Sequence, residues 1–155
     1  MPHVPHRSLV IGTVSAAIVL LIDFWLKARF LAEGEGIIEP LIPGVLGLTL
    51  HKNFGIVGNL PVPAAVVVPL TIGILALCAF WLWRVHRDRP LLACSFAVLI
   101  LGGLGNLVDR IAHGFTTDYV VLFERSVINL SDILIVLGIL GILLFHPKTP
   151  SPPHS

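Results

Sequence analysis

Two short polar motifs interrupt an otherwise apolar sequence, Asn106-x-x-Asp109-Arg110 and Asn129-x-x-Asp132, and Asp118 stands between them. The i,i+3 spacing puts Asn106 and Asp109 on one helix face, and it joins Asn129 to Asp132 in the same way. Arg110 carries a planar fork that suits a carboxylate, and it is expected to bind a carboxylate or a backbone carbonyl and fix the outer end of its helix. Two carboxylates held close together share one proton: the ionised one activates water, and the neutral one donates to a departing group. No His, Ser or Cys stands in these motifs as an obvious nucleophile. No His or Cys spacing suits a metal ion, so neither metal nor cofactor is expected. His113 lies nearby, and a lone interfacial histidine is ordinarily solvated. These residues therefore offer general acid–base hydrolysis by a carboxylate pair, the chemistry of an aspartyl protease.

Each residue also has an ordinary structural reading. Asn106, Asp109 and Arg110 can form a polar cap where a helix reaches the membrane interface. Asn129 can serve as an N-cap, with Asp132 in the first turn favoured by the helix dipole. Asp118, in Thr116-Thr117-Asp118-Tyr119, reads as part of a short outer loop. Asp23 and Lys27 stand i,i+4 and share a face. They read either as an ion pair near the helix end with Lys27 snorkelling, or as a structural pair supporting a nearby site.

The elements that position these residues follow from hydropathy. The chain of 155 residues is 55% apolar and 12% charged, against about 45–50% and 25% for soluble domains. Its mean hydropathy is +0.94. Disorder is excluded, and an ordinary soluble globule is disfavoured. With 10 basic and 9 acidic residues, no basic face is available for nucleic acid. Cys78 and Cys94 both lie in apolar runs and are neither a disulfide scaffold nor a metal cluster.

A span needs ~20 apolar residues. Four runs qualify, at about 9–30, 62–83, 91–111 and 127–145, the second with Pro69 inside it. The first run lacks a small-residue cleavage site and reads as a retained helix rather than a signal peptide. Arg84, Arg87 and Arg89 crowd the loop between the second and third runs, which makes that side cytoplasmic and places both termini inside. Residues 31–61 and 112–126 then lie outside. Glycines and prolines in 31–61 separate β-prone pieces at Ile37-Ile38 and Val45 to Leu50, which predicts a small sheet on the outer surface. The expected fold is an all-α membrane protein of four transmembrane helices with a small extracytoplasmic β-cradle. Residues 1–146 form one domain, and 147–155 read as a disordered cytoplasmic tail.

Taken together, the motifs resemble lipoprotein signal peptidase, also called signal peptidase II, from about Ile18 to Gly138. The resemblance rests on Asp23-x-x-x-Lys27, Asn53-x-Gly55, Gly102-Gly103-x-Gly105-Asn106-x-x-Asp109-Arg110, His113-Gly114-Phe115-x-x-Asp118 and Asn129-x-x-Asp132. It implies cleavage of signal peptides from diacylglyceryl-modified prolipoproteins, just before the lipidated cysteine, in the bacterial inner membrane. It implies Asp118 and Asp132 as catalytic residues, with Asn106, Asp109, Arg110 and Asn129 as a supporting polar shell. It places Asn53 and Gly55 against substrate, and Asp23 with Lys27 as a structural pair. Expected partners are lipid-modified prolipoprotein signal peptides and membrane phospholipid, with the chain a monomer and no nucleic acid bound.

The chain departs from the family pattern in three places. It reads Asn53-Phe54-Gly55-Ile56-Val57-Gly58 where Asn-x-Gly-Ala-Ala-Phe is usual, and Ser131 where alanine is usual. The stretch between Asp118 and Asp132 is also a few residues short. The competing reading from the same carboxylates is a small proton- or cation-coupled transporter. The absence of a repeat and the clustering of acids at one face disfavour it. A catalytically silent, precursor-binding relative is the other alternative.

Overall fold

Apolar runs set the helices here, and polar punctuation sets their ends. The computed structural model describes residues 7–34, 39–55, 60 and 62–146. Helix α1 spans Arg7–Glu33, α2 Ala64–Val85, α3 Pro90–His113 and α4 Leu130–Phe145. Strands β1 (Glu39–Ile42) and β2 (Leu46–Asn53) lie between α1 and α2, and β3 (Thr116–Leu122) and β4 (Ser126–Ile128) lie between α3 and α4. Pro90 opens α3 at a position where its missing N–H costs nothing. Gly114, with φ 80°, closes α3 in the left-handed conformation and returns its N–H to the Arg110 carbonyl. Pro69 is accommodated inside α2.

Among the described residues, α1, α2 and α3 are long and apolar enough to cross a membrane, and α4 is a shorter apolar helix of 16 residues. At 1.5 Å per residue α4 is about 24 Å long, short of a ~30 Å hydrocarbon core. It starts later than the expected 127 because residues 126–128 pair with β3 as strand β4. The Ile37-Ile38 piece and residues 147–155 lie outside the described residues.

Helix α3 is the centre of the bundle, with α1, α2 and α4 each packed on it. Glycines permit the α3–α4 approach. A Cβ at Gly102 would lie 2.6 Å from the Ser131 carbonyl, and one at Gly138 would lie 2.7 Å from the Leu99 backbone.

The four strands form one antiparallel sheet in the order β1-β2-β3-β4. The expected strand at 45–50 is present as β2, but the sheet also recruits the segment read as an outer loop. Thr116 to Val121 is rich in β-branched and aromatic residues, and it pairs along β2 with Asn53 opposite Thr116 and His51 opposite Asp118. Asp118 is therefore a strand residue. The sheet is tied to the outer end of α1 by Phe30 and Tyr119, whose rings stack with centroids 5.3 Å apart in a cluster with Leu50.

Candidate active site

The site is built from the bundle upward. Asp23 and Lys27, one turn apart on α1, are 0% and 2% exposed. Lys27 does not snorkel. Its ammonium lies 3.0 Å from Asp23 Oδ2 and 3.2 Å from Asp109 Oδ2, and it donates to Asn106 Oδ1 at 3.2 Å. The three protons of the ammonium thus meet three acceptors. Partners from α3 meet Lys27 inside the bundle.

Asp23 joins three elements. Its Oδ1 accepts from the Tyr119 hydroxyl at 2.8 Å and from the Leu130 N–H at 3.1 Å, and its Oδ2 accepts from the Ser131 hydroxyl at 2.6 Å. One carboxylate on α1 thereby fixes β3 and the first turn of α4. Asp109 Oδ2 also accepts the Thr117 backbone N–H at 2.8 Å, which anchors the start of β3 to α3.

Above this layer lies the pair that sequence resemblance singled out. Asn129 caps α4 in a reciprocal box: its side chain accepts from the Asp132 N–H at 2.9 Å, and its own N–H donates to Asp132 Oδ2 at 3.3 Å. The Asn129 amide then turns to β3 and donates to Asp118 Oδ1 at 2.6 Å. It also donates to Asn106 Oδ1 at 3.1 Å. Asn106 in turn donates to Asp132 Oδ1 at 2.7 Å. Asp118 and Asp132 are thus both ligated by Asn129, one through its side chain and the other through its backbone. One asparagine thus caps α4 and contacts both Asp118 and Asp132.

Asn53 reaches Asp118 from the neighbouring strand. It pairs with Thr116, so Asp118 is its diagonal neighbour on the same sheet face, and its amide donates to Asp118 Oδ2 at 3.0 Å. Its Oδ1 accepts the Gly55 N–H at 3.0 Å and closes a tight turn. Arg110 secures that turn by donating to the Gly55 carbonyl at 3.1 Å. Its other hydrogen bond goes to the Asn106 carbonyl at 3.5 Å, so the guanidinium grips backbone carbonyls and its fork does not clasp a carboxylate. His113 is 40% exposed with Nδ1 3.8 Å from Asp109 Oδ1, at the rim. The segment 56–59 lies outside the described residues.

Burial dominates the electrostatics of Asp118. The residue is 1% exposed, and desolvation pushes its carboxyl up to about 7, with the charge of Asp132 adding to the rise and the donors Asn53 and Asn129 opposing it. The neutral carboxyl is therefore well populated near neutral pH. Tyr119 is raised above the ordinary phenol range by burial and by Asp23. Among the described residues, no group of three or more His, Cys, Asp or Glu is arranged to hold a metal.

Sequence reasoning missed Tyr119 and undervalued Ser131. Tyr119 is the only tyrosine in the chain and sits beside Asp118, but nothing in the sequence shows that a strand turns its hydroxyl onto Asp23. Ser131 registers in the sequence only as a small residue where another is usual.

The sequence model of the signal peptidase (SPase) II family matches residues 15–146. The chain is 31% identical to the lipoprotein signal peptidase of Xanthomonas axonopodis pv. citri, over 94% of this chain and 90% of that protein. It is 34% identical to the lipoprotein signal peptidase of Allorhizobium ampelinum over 68% of each chain. Two solved structures described as bacterial membrane enzymes share the fold at 21% sequence identity. One has a TM-score of 0.80 and covers 86% of this chain and 85% of the other; the second has a TM-score of 0.76 and covers 86% and 90%.

Proposed function

The chain belongs to the signal peptidase II family, and from that premise we propose that it removes signal peptides from bacterial prolipoproteins with Asp118 and Asp132 as its catalytic pair. The observation that carries this reading is Asn129, which ligates both carboxylates at the strand-to-helix junction. Asp118, buried and raised to about 7, is the protonated member. Asp132, half-buried with both oxygens facing N–H donors, takes the part of the general base.

The reaction follows from these states. Asp132 takes a proton from water as the water oxygen attacks the scissile carbonyl carbon. Asp118 donates its proton to the carbonyl oxygen, and a tetrahedral diol forms. Asp132 then passes the proton it holds to the amide nitrogen, the C–N bond breaks, and the diol returns a proton to Asp118 as the new carboxylic acid forms. Asn53, Asn106 and Asn129 hold the two carboxylates while the protons move.

The substrate is a precursor whose cysteine carries a diacylglyceryl group, cut just before that cysteine. Four helices cross the inner membrane with both termini cytoplasmic, α4 being the short one, and the pair lies near the outer leaflet with the sheet beside it. The protein acts as a monomer among phospholipids. The Arg84, Arg87 and Arg89 loop supports this orientation. Acids gathered at one end of the bundle, with no repeat, do not favour the transporter reading.

Cleavage of a lipidated prolipoprotein by the purified protein tests the proposal. Asp118→Asn and Asp132→Asn are each expected to abolish most turnover, and the double variant to lose no more than either single one. Near-normal cleavage by Asp118→Asn, with Asp109→Asn inactive, would move the pair to Asp109 and Asp132.

A further inference from the structure

We infer that Lys27 is a positioning residue of the catalytic pair: by holding the side-chain carbonyl of Asn106, it obliges the Asn106 amide to face Asp132 as a donor. The inference rests on the assignment of Asp118 and Asp132 as the pair.

The orientation of the Asn106 amide is fixed by its partners. Asn106 Oδ1 accepts from the Lys27 ammonium at 3.2 Å and from the Asn129 amide at 3.1 Å. The Asn106 amide nitrogen is left to donate to Asp132 Oδ1 at 2.7 Å. A flipped Asn106 would set its NH₂ against two donors, one of them a cation, and its carbonyl against a carboxylate. Only one orientation satisfies every group. Lys27 thus acts on Asp132 through a single intervening side chain. Stability alone does not call for a lysine at this position. A buried ion pair replaced by neutral groups of similar size is often as stable, so the charge itself calls for another explanation.

Several titratable and charged groups surround the pair. Lys27 and Asp23 come from α1, and Asp109 and Arg110 from α3. Tyr119 comes from β3 on Asp23, and His51 lies opposite Asp118 on β2. His113 lies beyond Asp109. Of these, Lys27 is the cation hydrogen-bonded to the side-chain amide of Asn106 that contacts Asp132, whereas Arg110 meets Asn106 only at its backbone carbonyl.

The experiment compares pH profiles of kcat/KM for a lipidated prolipoprotein. Lys27→Met alone would strand Asp109, so it is combined with Asp109→Asn, which leaves the net charge of the buried cluster unchanged and keeps an acceptor for the Thr117 N–H. The acidic limb of the profile is expected to move up by about one pH unit, a roughly tenfold loss at pH values well below its midpoint with little change on the plateau. Asn106→Asp gives an independent reading, because it keeps an acceptor for Lys27 but turns a second acceptor on Asp132. Its acidic limb should also move up. A melting curve for each variant separates folding from function. A variant that melts like the wild type with an unmoved acidic limb overturns the inference and leaves Lys27 a purely structural residue. Near-normal cleavage by Asp118→Asn or Asp132→Asn would instead defeat the assignment of the pair.

Discussion

Asn53→Leu offers a test in which a defect and a gain arise from one contact. Asn53 donates to Asp118 Oδ2 at 3.0 Å and so favours the ionised form of a carboxyl that burial raises to about 7. A hydrogen bond to a charged group contributes about 1.5–3 kcal/mol, and one pH unit corresponds to ~1.36 kcal/mol. Asn53 is only half-buried and Asn129 still donates to Asp118, so the lower end applies and the expected rise is about one unit. The role proposed for Asp118 needs its protonated form, so activity is expected to be lost as pH rises through its pKa. Raising that pKa moves the loss to higher pH. At pH 8, a group titrating near 7 is about 10% protonated and one near 8 about 50%, so activity relative to each enzyme's own optimum should rise about fivefold. The Gly55 turn loses its Asn53 acceptor at the same time, so the absolute kcat/KM should fall. The assay is the alkaline limb of kcat/KM on a lipidated prolipoprotein, which reports the free enzyme. An unmoved limb, or one moved to lower pH, would refute either the protonated role of Asp118 or the function of Asn53 as its donor.

Three further substitutions probe the scaffold. Ser131→Ala removes the 2.6 Å donor to Asp23 but leaves Lys27, Tyr119 and the Leu130 N–H; thermal unfolding in detergent should show a loss of about 1–2 kcal/mol with the pH profile of cleavage unchanged. Gly138→Ala drives a Cβ to within 2.7 Å of the Leu99 backbone, and it should lower stability by about 1–3 kcal/mol in the same assay. Arg110→Lys keeps a charge but loses the reach to the Gly55 carbonyl at 3.1 Å, so kcat/KM should fall roughly tenfold, more through KM than through kcat.

The sequence was legible where the physics is local. Apolar runs gave the four helices to within a few residues, because a helix in lipid satisfies its own backbone. It was less legible where strands decide. Thr116 to Val121 carries a strong β signal, yet a short segment between two apolar runs reads as a linker, and only a partner strand 65 residues away turns it into β3. The depth of Lys27 was equally hidden. Its i,i+4 spacing to Asp23 fits a snorkelling surface pair as well as a buried one, and the choice is made by Asn106, 79 residues further along.

The Asn129 motif shows why the site and the fold cannot be separated. As an N-cap it ends β4 and starts α4, and the reciprocal box sets the rotation of Asp132 about the helix axis. The same side chain reaches back across the strand-to-helix junction to Asp118. Shifting the cap by one residue would turn Asp132 by about 100° and take its carboxylate away from Asn106. The short α4 follows from the same constraint. The helix begins where the cap must stand to serve β3, which is later in the chain than hydropathy alone would start it. The capping preference of an asparagine thus sets the geometry of a carboxylate pair, and the length of the last helix yields to that geometry.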